Sequence, residues 1–372
     1  MTVVLLSNTY NHHQAYLARS LYKLTEGNFY FIQHKPLTDE RIKLGYLNLH
    51  DDFVMSYNDD KTYIQNLIDN ADIVICGSAP EKWIENRKKQ KKLIFRYSER
   101  PLKNGLELWK YPYRLLKWHK QNPRKARIYM LCASAYTAAD YAKFGLFKGK
   151  CFKWGYFPEC KRYESVDDLM SKKIKNEILW CGRFLDWKHP DDVLKVAKRL
   201  KDDGAQFHIN LIGTGEMKIE LERMCEKFDL SEYVTFVGSV SSDKVREYME
   251  RASIYLFTSD RKEGWGAVLN EAMNSGCAVI ASNEAGSTKY LLDNEKNGIV
   301  YQSGDLVSLY QSVKKLIVDN DLCRKLGAIA YEDIINEWNA DVAAQKFIVL
   351  SENILSGEPT NKYLDGVCSI QE

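Results

Sequence analysis

Two glutamates with seven residues between them bracket the most chemically suggestive stretch of this chain, Glu263-Gly-Trp-Gly-Ala-Val-Leu-Asn-Glu271. Gly264 and Gly266 leave the backbone bare where the strand pattern Ile254-Tyr255-Leu256-Phe257 gives way to a helix. Unpaired N–H groups at the positive end of a helix suit a pyrophosphate. A carboxylate accepts two hydrogen bonds at once, so Glu263 and Glu271 each suit a vicinal diol, ribose or sugar. With a helix starting near Gly266 they lie about two turns apart and border one crevice. Further glycine-bearing strand ends stand upstream: Cys181-Gly182-Arg183 with Lys188 beyond it, Leu211-Ile212-Gly213-Thr214-Gly215, and Phe236-Val237-Gly238.

In this order the motifs resemble family 4 of the glycosyltransferases, retaining enzymes with the two-domain GT-B fold. The resemblance covers residues 177 to about 303, and the first half only through its strand–helix alternation. It implies that Arg183 and Lys188 hold the diphosphate of a nucleotide-sugar donor, fixed cations being what stabilises charge on a leaving phosphate without an obligatory metal. It further implies that Glu271 binds the ribose and Glu263 lies beside the donor sugar and its anomeric carbon. Gly182, Gly213 and Gly215 then let loops approach the nucleotide, with Ser239 and Val240 near the base. The backbone of Gly264, Trp265 and Gly266 faces sugar and diphosphate, and Ala267, Val268 and Leu269 complete the donor site. Purely structural readings compete: Glu263 as a cap and Glu271 as an exposed helix residue, Arg183 and Lys188 as solvated charges, Gly213–Gly215 as a helix entry, Trp265 as packing.

Short apolar runs alternating with amphipathic stretches predict repeated βα units and parallel sheets. Strands are expected near 3–7, 29–33, 72–77, 92–97 and 127–133, then 177–181, 207–212, 233–237, 254–258, 277–281 and 298–302. Helices fit 12–24, 63–70, 79–90 and 135–145, then 190–203, 215–228, 241–251, 267–275, 287–293, 305–320, 321–336 and 340–355. The stretch 35–60 reads as irregular, 157–176 as a linker, and the tail after Gly357 as loosely held. The expected architecture is α/β, two facing Rossmann-like doubly wound domains: an acceptor-side domain over 1–160 and a donor domain over 161–340. The segment 341–372 then supplies a helix crossing back and a tail. Ligands of such sheets bind beyond the carboxyl ends of the strands.

A chain of 372 residues is long enough for two cores, and its 45% hydrophobic and 28% charged residues exclude global disorder. No apolar run reaches the about 18 residues of a spanning helix, so the expectation is a soluble or surface-attached protein. Nine scattered cysteines without a C-x-x-C pair fit buried thiols in a reducing, cytoplasmic compartment. The net charge of +3 hides an asymmetry. Between Arg87 and Arg127 fifteen cations face only Glu99 and Glu107, a local +13 that leaves −10 for the remainder. Within it, Leu106–Lys120 interleaves apolar and aromatic residues with cations, a composition suited to an anionic membrane surface. A solvated helix is the competing reading, and nucleic acid is disfavoured because no motif that reads it is present.

The first strand leads into Ser7-Asn8-Thr9-Tyr10-Asn11-His12-His13-Gln14. Relatives often carry a glycine-rich loop there; its absence turns attention to Asn8, Asn11, His12 and His13 as side chains reaching the ligand, unless Asn11 caps the helix and His13 packs on it. Many relatives also place a histidine after the strand that here ends near Tyr97. This chain has Ser98-Glu99-Arg100-Pro101 instead, so Glu99 and Arg100 become the candidates for donor or acceptor contacts, or else pair with each other. The resulting expectation is a retaining hexosyltransferase moving sugar from a UDP-sugar to a glycan or lipid-linked acceptor for surface polysaccharide, peripheral at the inner membrane face, with no obligatory cofactor and no metal. Two alternatives keep the same site: a GT-B sugar-nucleotide epimerase or hydrolase, and a non-catalytic sugar-nucleotide-binding subunit.

Overall fold

The computed structural model describes residues 1–36 and 49–372. The chain divides into two compact units, residues 1–159 with 337–372, and residues 160–336. The first holds a seven-stranded sheet of β1 (Val3–Ser7), β2 (Phe29–Gln33), β3 (Val54–Ser56), β4 (Ile73–Cys76), β5 (Leu93–Ser98), β6 (Ile128–Cys132) and β7 (Cys151–Lys153), ordered β3-β2-β1-β4-β5-β6-β7. The second holds β8 (Ile174–Cys181), β9 (His208–Ile212), β10 (Val234–Gly238), β11 (Ala252–Phe257), β12 (Ala278–Ser282) and β13 (Ile299–Tyr301), ordered β10-β9-β8-β11-β12-β13. Every named strand pair is parallel. Strands such as Val3-Val4-Leu5-Leu6-Ser7 and Ala278–Ser282 are buried along their whole length. Helices on both faces of a parallel sheet leave room only for near-continuous apolar runs, which is why the alternation was readable.

In each unit the chain lays strands to one side of its first strand and then returns to the other side. The order reverses between β1 and β4 in one unit and between β8 and β11 in the other, and at such a switch the loops leaving neighbouring strands diverge and open a crevice. Local signals start the helices around these loops. Asn11 caps His12–Leu24 by accepting from the His13 N–H at 3.0 Å, and Pro190 opens the helix Pro190–Asp202.

Several expectations need correction. The presumed linker carries the helix Val166–Ser171, capped by Ser165, with Leu169 and Met170 buried beside Tyr331, and β8 begins three residues early at Ile174. The expected helix 79–90 is a 3-10 turn, Glu81–Ile84, followed by the helix Glu85–Lys89. Arg87 ends up fully buried there, its guanidinium donating to the carbonyls of Ile68, Ala71 and Leu93 at 2.9, 2.6 and 2.7 Å. The tail is not loose. It runs along β7, with the Lys153 N–H donating to Ser369 O, Cys368 N–H to Lys153 O and Gln371 N–H to Cys151 O, and Val367, Cys368 and Ser369 are fully buried. Of the stretch 35–60, residues 37–48 lie outside the described residues; the described part adds the short strand β3. The helix Ala340–Ser356 packs on His12–Leu24, joined by Ser20 Oγ donating to Asp341 at 2.6 Å.

Candidate functional site

Residues 160–336 gather the glycine-bearing ends of β8, β9, β10 and β11. The Gly182 N–H donates to Ile212 O at 3.0 Å and the Gly213 N–H to Gly238 O at 2.8 Å, so the three loops after β8, β9 and β10 touch. Gly213 has φ +135°, and a Cβ there would lie 1.9 Å from the Gly182 carbonyl oxygen, so only glycine fits. Gly215 follows two residues on, beside Phe184, whose N–H donates to Thr214 O at 2.9 Å. Ser239 and Val240 come next after β10, Ser239 exposed and Val240 half-buried.

Across the switch the loops after β8 and β11 are zipped together. Asp260 N–H donates to Trp187 O at 2.9 Å, Thr258 Oγ1 donates to Lys188 O at 2.6 Å, and Trp180 Nε1 donates to Thr258 Oγ1 at 2.9 Å. This scaffold brings Lys188 Nζ within 2.5 Å of Glu263 Oε2, the two side chains only 13% and 12% exposed. Ser259 Oγ donates to the same carboxylate oxygen at 3.1 Å. Arg183, by contrast, is exposed and forms no ion pair or side-chain hydrogen bond among the described residues. One cation is therefore neutralised in place and one is left open for an anion.

Gly266 precedes the helix Ala267–Asn274 with φ +87°, where a Cβ would meet Phe257 Cζ at 2.3 Å. Trp265 is fully buried, its Nε1 donating to Asn270 at 2.8 Å and its carbonyl accepting from Ser287 Oγ at 2.7 Å. Its indole is thus core packing, and only its backbone is left to face a ligand. Leu269 is buried too, whereas Ala267 and Val268 are half-buried at the helix start. Glu271 sits in the second turn, near enough to Cys181 and Tyr255 to act on both. Burial and the Glu271 carboxylate push the Cys181 thiol up to about 12 against the pull of Lys188. Burial, Cys181 and Glu271 raise the Tyr255 hydroxyl as well. Both groups stay protonated at neutral pH, so neither serves as an anionic nucleophile. Thr258 and Ser259, which hold the pair, were not singled out from sequence; their place directly after an apolar strand was the available signal.

Residues 1–159 hold a second feature, a cavity of about 580 Å³ beyond the ends of β1, β4 and β5. Asn11, His13, Glu99 and Arg100 line it, and His12 does not. Asn11 is spent on capping, and burial together with His12 depresses the His13 imidazole to about 3, leaving it neutral. Glu99 and Arg100 do not pair with each other. Glu99 accepts from Lys103 at 2.5 Å and Tyr156 OH at 2.7 Å, while Arg100 is buried against Asp140 at 3.4 Å with its guanidinium over the Tyr136 ring. Sequence reasoning missed Arg96 and Glu81, which meet across the cavity wall at 2.6 Å, and Gln14, whose Oε1 is buried without a hydrogen-bond partner among the described residues. Amide, hydroxyl and paired ionic groups around Trp118 make the lining polar yet nearly charge-balanced. All nine cysteines are free, and among the described residues no three His, Cys, Asp or Glu side chains are grouped to hold a metal ion.

Residues 162–333 match the family model for glycosyl transferases group 1. An uncharacterised glycosyltransferase of Methanocaldococcus jannaschii is 26% identical over 203 residues, covering 53% of this chain and 51% of that protein. The GDP-mannose-dependent alpha-(1-6)-phosphatidylinositol monomannoside mannosyltransferase of Mycobacterium tuberculosis is 27% identical over 177 residues, covering 45% of each. The chain thus spans about half the length of the curated relatives it matches. Among solved structures, Anabaena HepE in complex with UDP superimposes with a TM-score of 0.69 at 14% identity, covering 96% of this chain and 100% of that one. The fold is accordingly the GT-B fold, and over residues 162–333 the sequence matches the glycosyl transferases group 1 family.

Proposed function

We propose that this protein is a retaining glycosyltransferase that moves a hexosyl group from a nucleotide-sugar, a UDP-sugar, to a hydroxyl of a glycan or glycolipid acceptor in surface polysaccharide synthesis. The observation that carries this reading is the pairing of Lys188 with Glu263 at the β8/β11 switch, beside an unpaired Arg183, within the segment that matches the glycosyl transferases group 1 family. The UDP complex of HepE supports UDP as the nucleotide, whereas the mycobacterial relative is named for GDP-mannose, so a donor panel needs both bases.

In this mechanism Arg183 and the helix start at Gly266 hold the diphosphate, Lys188 adds an N–H not spent on Glu263, and Glu271 takes the ribose hydroxyls. Glu263 stands beside the sugar, its second carboxylate oxygen available to a hydroxyl while Lys188 and Ser259 fix the first. The anomeric C–O bond to the diphosphate breaks, the acceptor oxygen bonds to the anomeric carbon on the same face, and its proton leaves with the diphosphate. Positive charge held in place costs no reorganisation as the leaving group gains charge, and that is where the rate advantage arises.

The test is transfer from UDP- and GDP-sugars to lipid-linked sugars, with product masses measured with and without acceptor. Arg183→Ala and Glu263→Ala should each lower the transfer rate by about 10²–10³. Near-wild-type transfer in either variant overturns the assignment, and a free or epimerised sugar formed without acceptor would move the protein to hydrolase or epimerase chemistry.

A further inference from the structure

The helix Tyr111–Gln121 has two unlike faces. Its inner face is partnered: Tyr111 stacks on Phe144 at 4.8 Å, Trp118 meets Phe144 edge-on at 4.6 Å, and His119 Nε2 lies 2.8 Å from the Phe144 carbonyl. The outer side faces solvent, with Lys110 over the Trp109 ring and Lys117 over the Tyr113 ring. Leu108, Trp109, Tyr113 and Leu116 are 76, 77, 65 and 74% exposed. Tyr113 and Leu116, three residues apart, share one stripe of the helix, and the 3-10 turn Leu108–Lys110 leading into it adds the other two. Other exposed large apolar residues are scattered along the chain; four within nine positions form a patch of the kind that marks an interaction surface.

Charge chooses the partner. Six of the fifteen cations of the basic segment form ion pairs inside the unit: Lys88 and Arg96 on Glu81, Arg100 on Asp140, Lys103 on Glu99, Lys110 and Arg114 on Glu107; Arg87, Lys92 and Arg127 donate to backbone carbonyls. Lys117, Lys120, Arg124 and Lys125 are exposed and have no carboxylate partner among the described residues. They follow the apolar patch directly in the chain. A second copy would bring the same positive charge against this face, and nucleic acid offers no hydrocarbon to Leu108 and Leu116. An anionic bilayer presents negative headgroups above an apolar interior and so answers both features.

We propose that this surface docks the protein on anionic membranes, Leu108, Trp109, Tyr113 and Leu116 entering the interface while Lys117, Lys120, Arg124 and Lys125 meet the headgroups. The same helix gives Trp118 and Gln121 to the wall of the 580 Å³ cavity. Resting on the glycosyl-transfer reading, the acceptor is therefore one that the bilayer itself presents.

Sedimentation of the full chain with phosphatidylcholine vesicles, with and without phosphatidylglycerol, tests the docking. Binding is expected to the anionic vesicles and to weaken as salt rises. The variant Leu108→Ser/Trp109→Ser/Leu116→Ser should melt like the wild type and partition at least about tenfold less. Lys117→Glu/Lys120→Glu should lose the preference for phosphatidylglycerol. Equal partitioning of wild type and the serine variant overturns the proposal. So does a wild-type dimer in solution that the serine variant dissolves, without vesicle binding. Vesicle binding without transfer in either protein would leave docking standing and remove the glycosyl-transfer reading. Equal transfer to a short water-soluble acceptor by wild type and serine variant, with neither binding vesicles, removes docking and leaves the glycosyl-transfer reading.

Discussion

At the scale of single residues the Lys188–Glu263 pair carries most of the meaning. Both groups are largely withdrawn from water, so each depends on the other, and removing one leaves a charge with little solvent to compensate it. Lys188→Met should destabilise residues 160–336 by about 3 kcal/mol, whereas Lys188→Met/Glu263→Leu should recover much of that loss. Urea unfolding of the two singles and the double gives the coupling; additive losses would show that the pair is solvated. Glu263 and Lys188 could be named as candidates from residue type and spacing alone, and the fold brings them together. Which cation is neutralised and which stands open was not legible, since that depends on Thr258 and Asp260 joining two loops that are seventy residues apart.

At the scale of elements, the strand-end loops work by how closely their backbones approach. Gly213→Ala should destabilise by about 3 kcal/mol or more, because the added methyl meets the Gly182 carbonyl and the backbone lies at positive φ. The measurement is urea unfolding with nucleotide titration; an unchanged midpoint and unchanged UDP binding would show that the loops separate freely. The helices after β8 and β11 were readable almost to the residue because Pro190 and Gly266 punctuate their starts. The helix 79–90 was not, because the pull that divides it is tertiary: Arg87 turns inward to cap the carbonyls of Ile68, Ala71 and Leu93, which no local pattern reveals. Asn11 likewise read equally well as cap or ligand, and its hydrogen bond to the His13 N–H makes it the cap.

At the scale of the whole molecule, charge is redistributed by folding. Glu81, from outside the basic segment, pairs with both Arg96 and Lys88. Burial works to raise its carboxyl, but the hydrogen bonds and charges of those two cations outweigh burial and hold it below the ordinary 4.5. Its stabilising contribution is then fully present above about pH 4.5 and is lost as the pH falls through the lower folded-state value. Asp51 beside Arg19 and Tyr10, and Glu250 beside Lys161 and Tyr163, show the same balance and add to the same acid-side slope. Glu81→Gln should cost about 3 kcal/mol at neutral pH and flatten that slope. Thermal melts from pH 7 to about 3 check it; a slope unchanged by the substitution would assign acid sensitivity to other groups.

The sequence by itself determined the two parallel sheets and the order of the glycine-bearing strand ends, since apolar runs, punctuating glycines and prolines, and residue chemistry are local properties. Tertiary structure alone decided what those motifs hold. It paired Lys188 with Glu263 and left Arg183 open, and it buried the Trp265 indole. It set Glu99 and Arg100 on separate partners and ran the tail along β7. It also drew six of the fifteen cations of the +13 segment into ion pairs and left Lys117, Lys120, Arg124 and Lys125 exposed directly after an apolar stripe. Most of these rest on contacts between residues distant in the chain, and burial, pairing and exposure have no signature in composition.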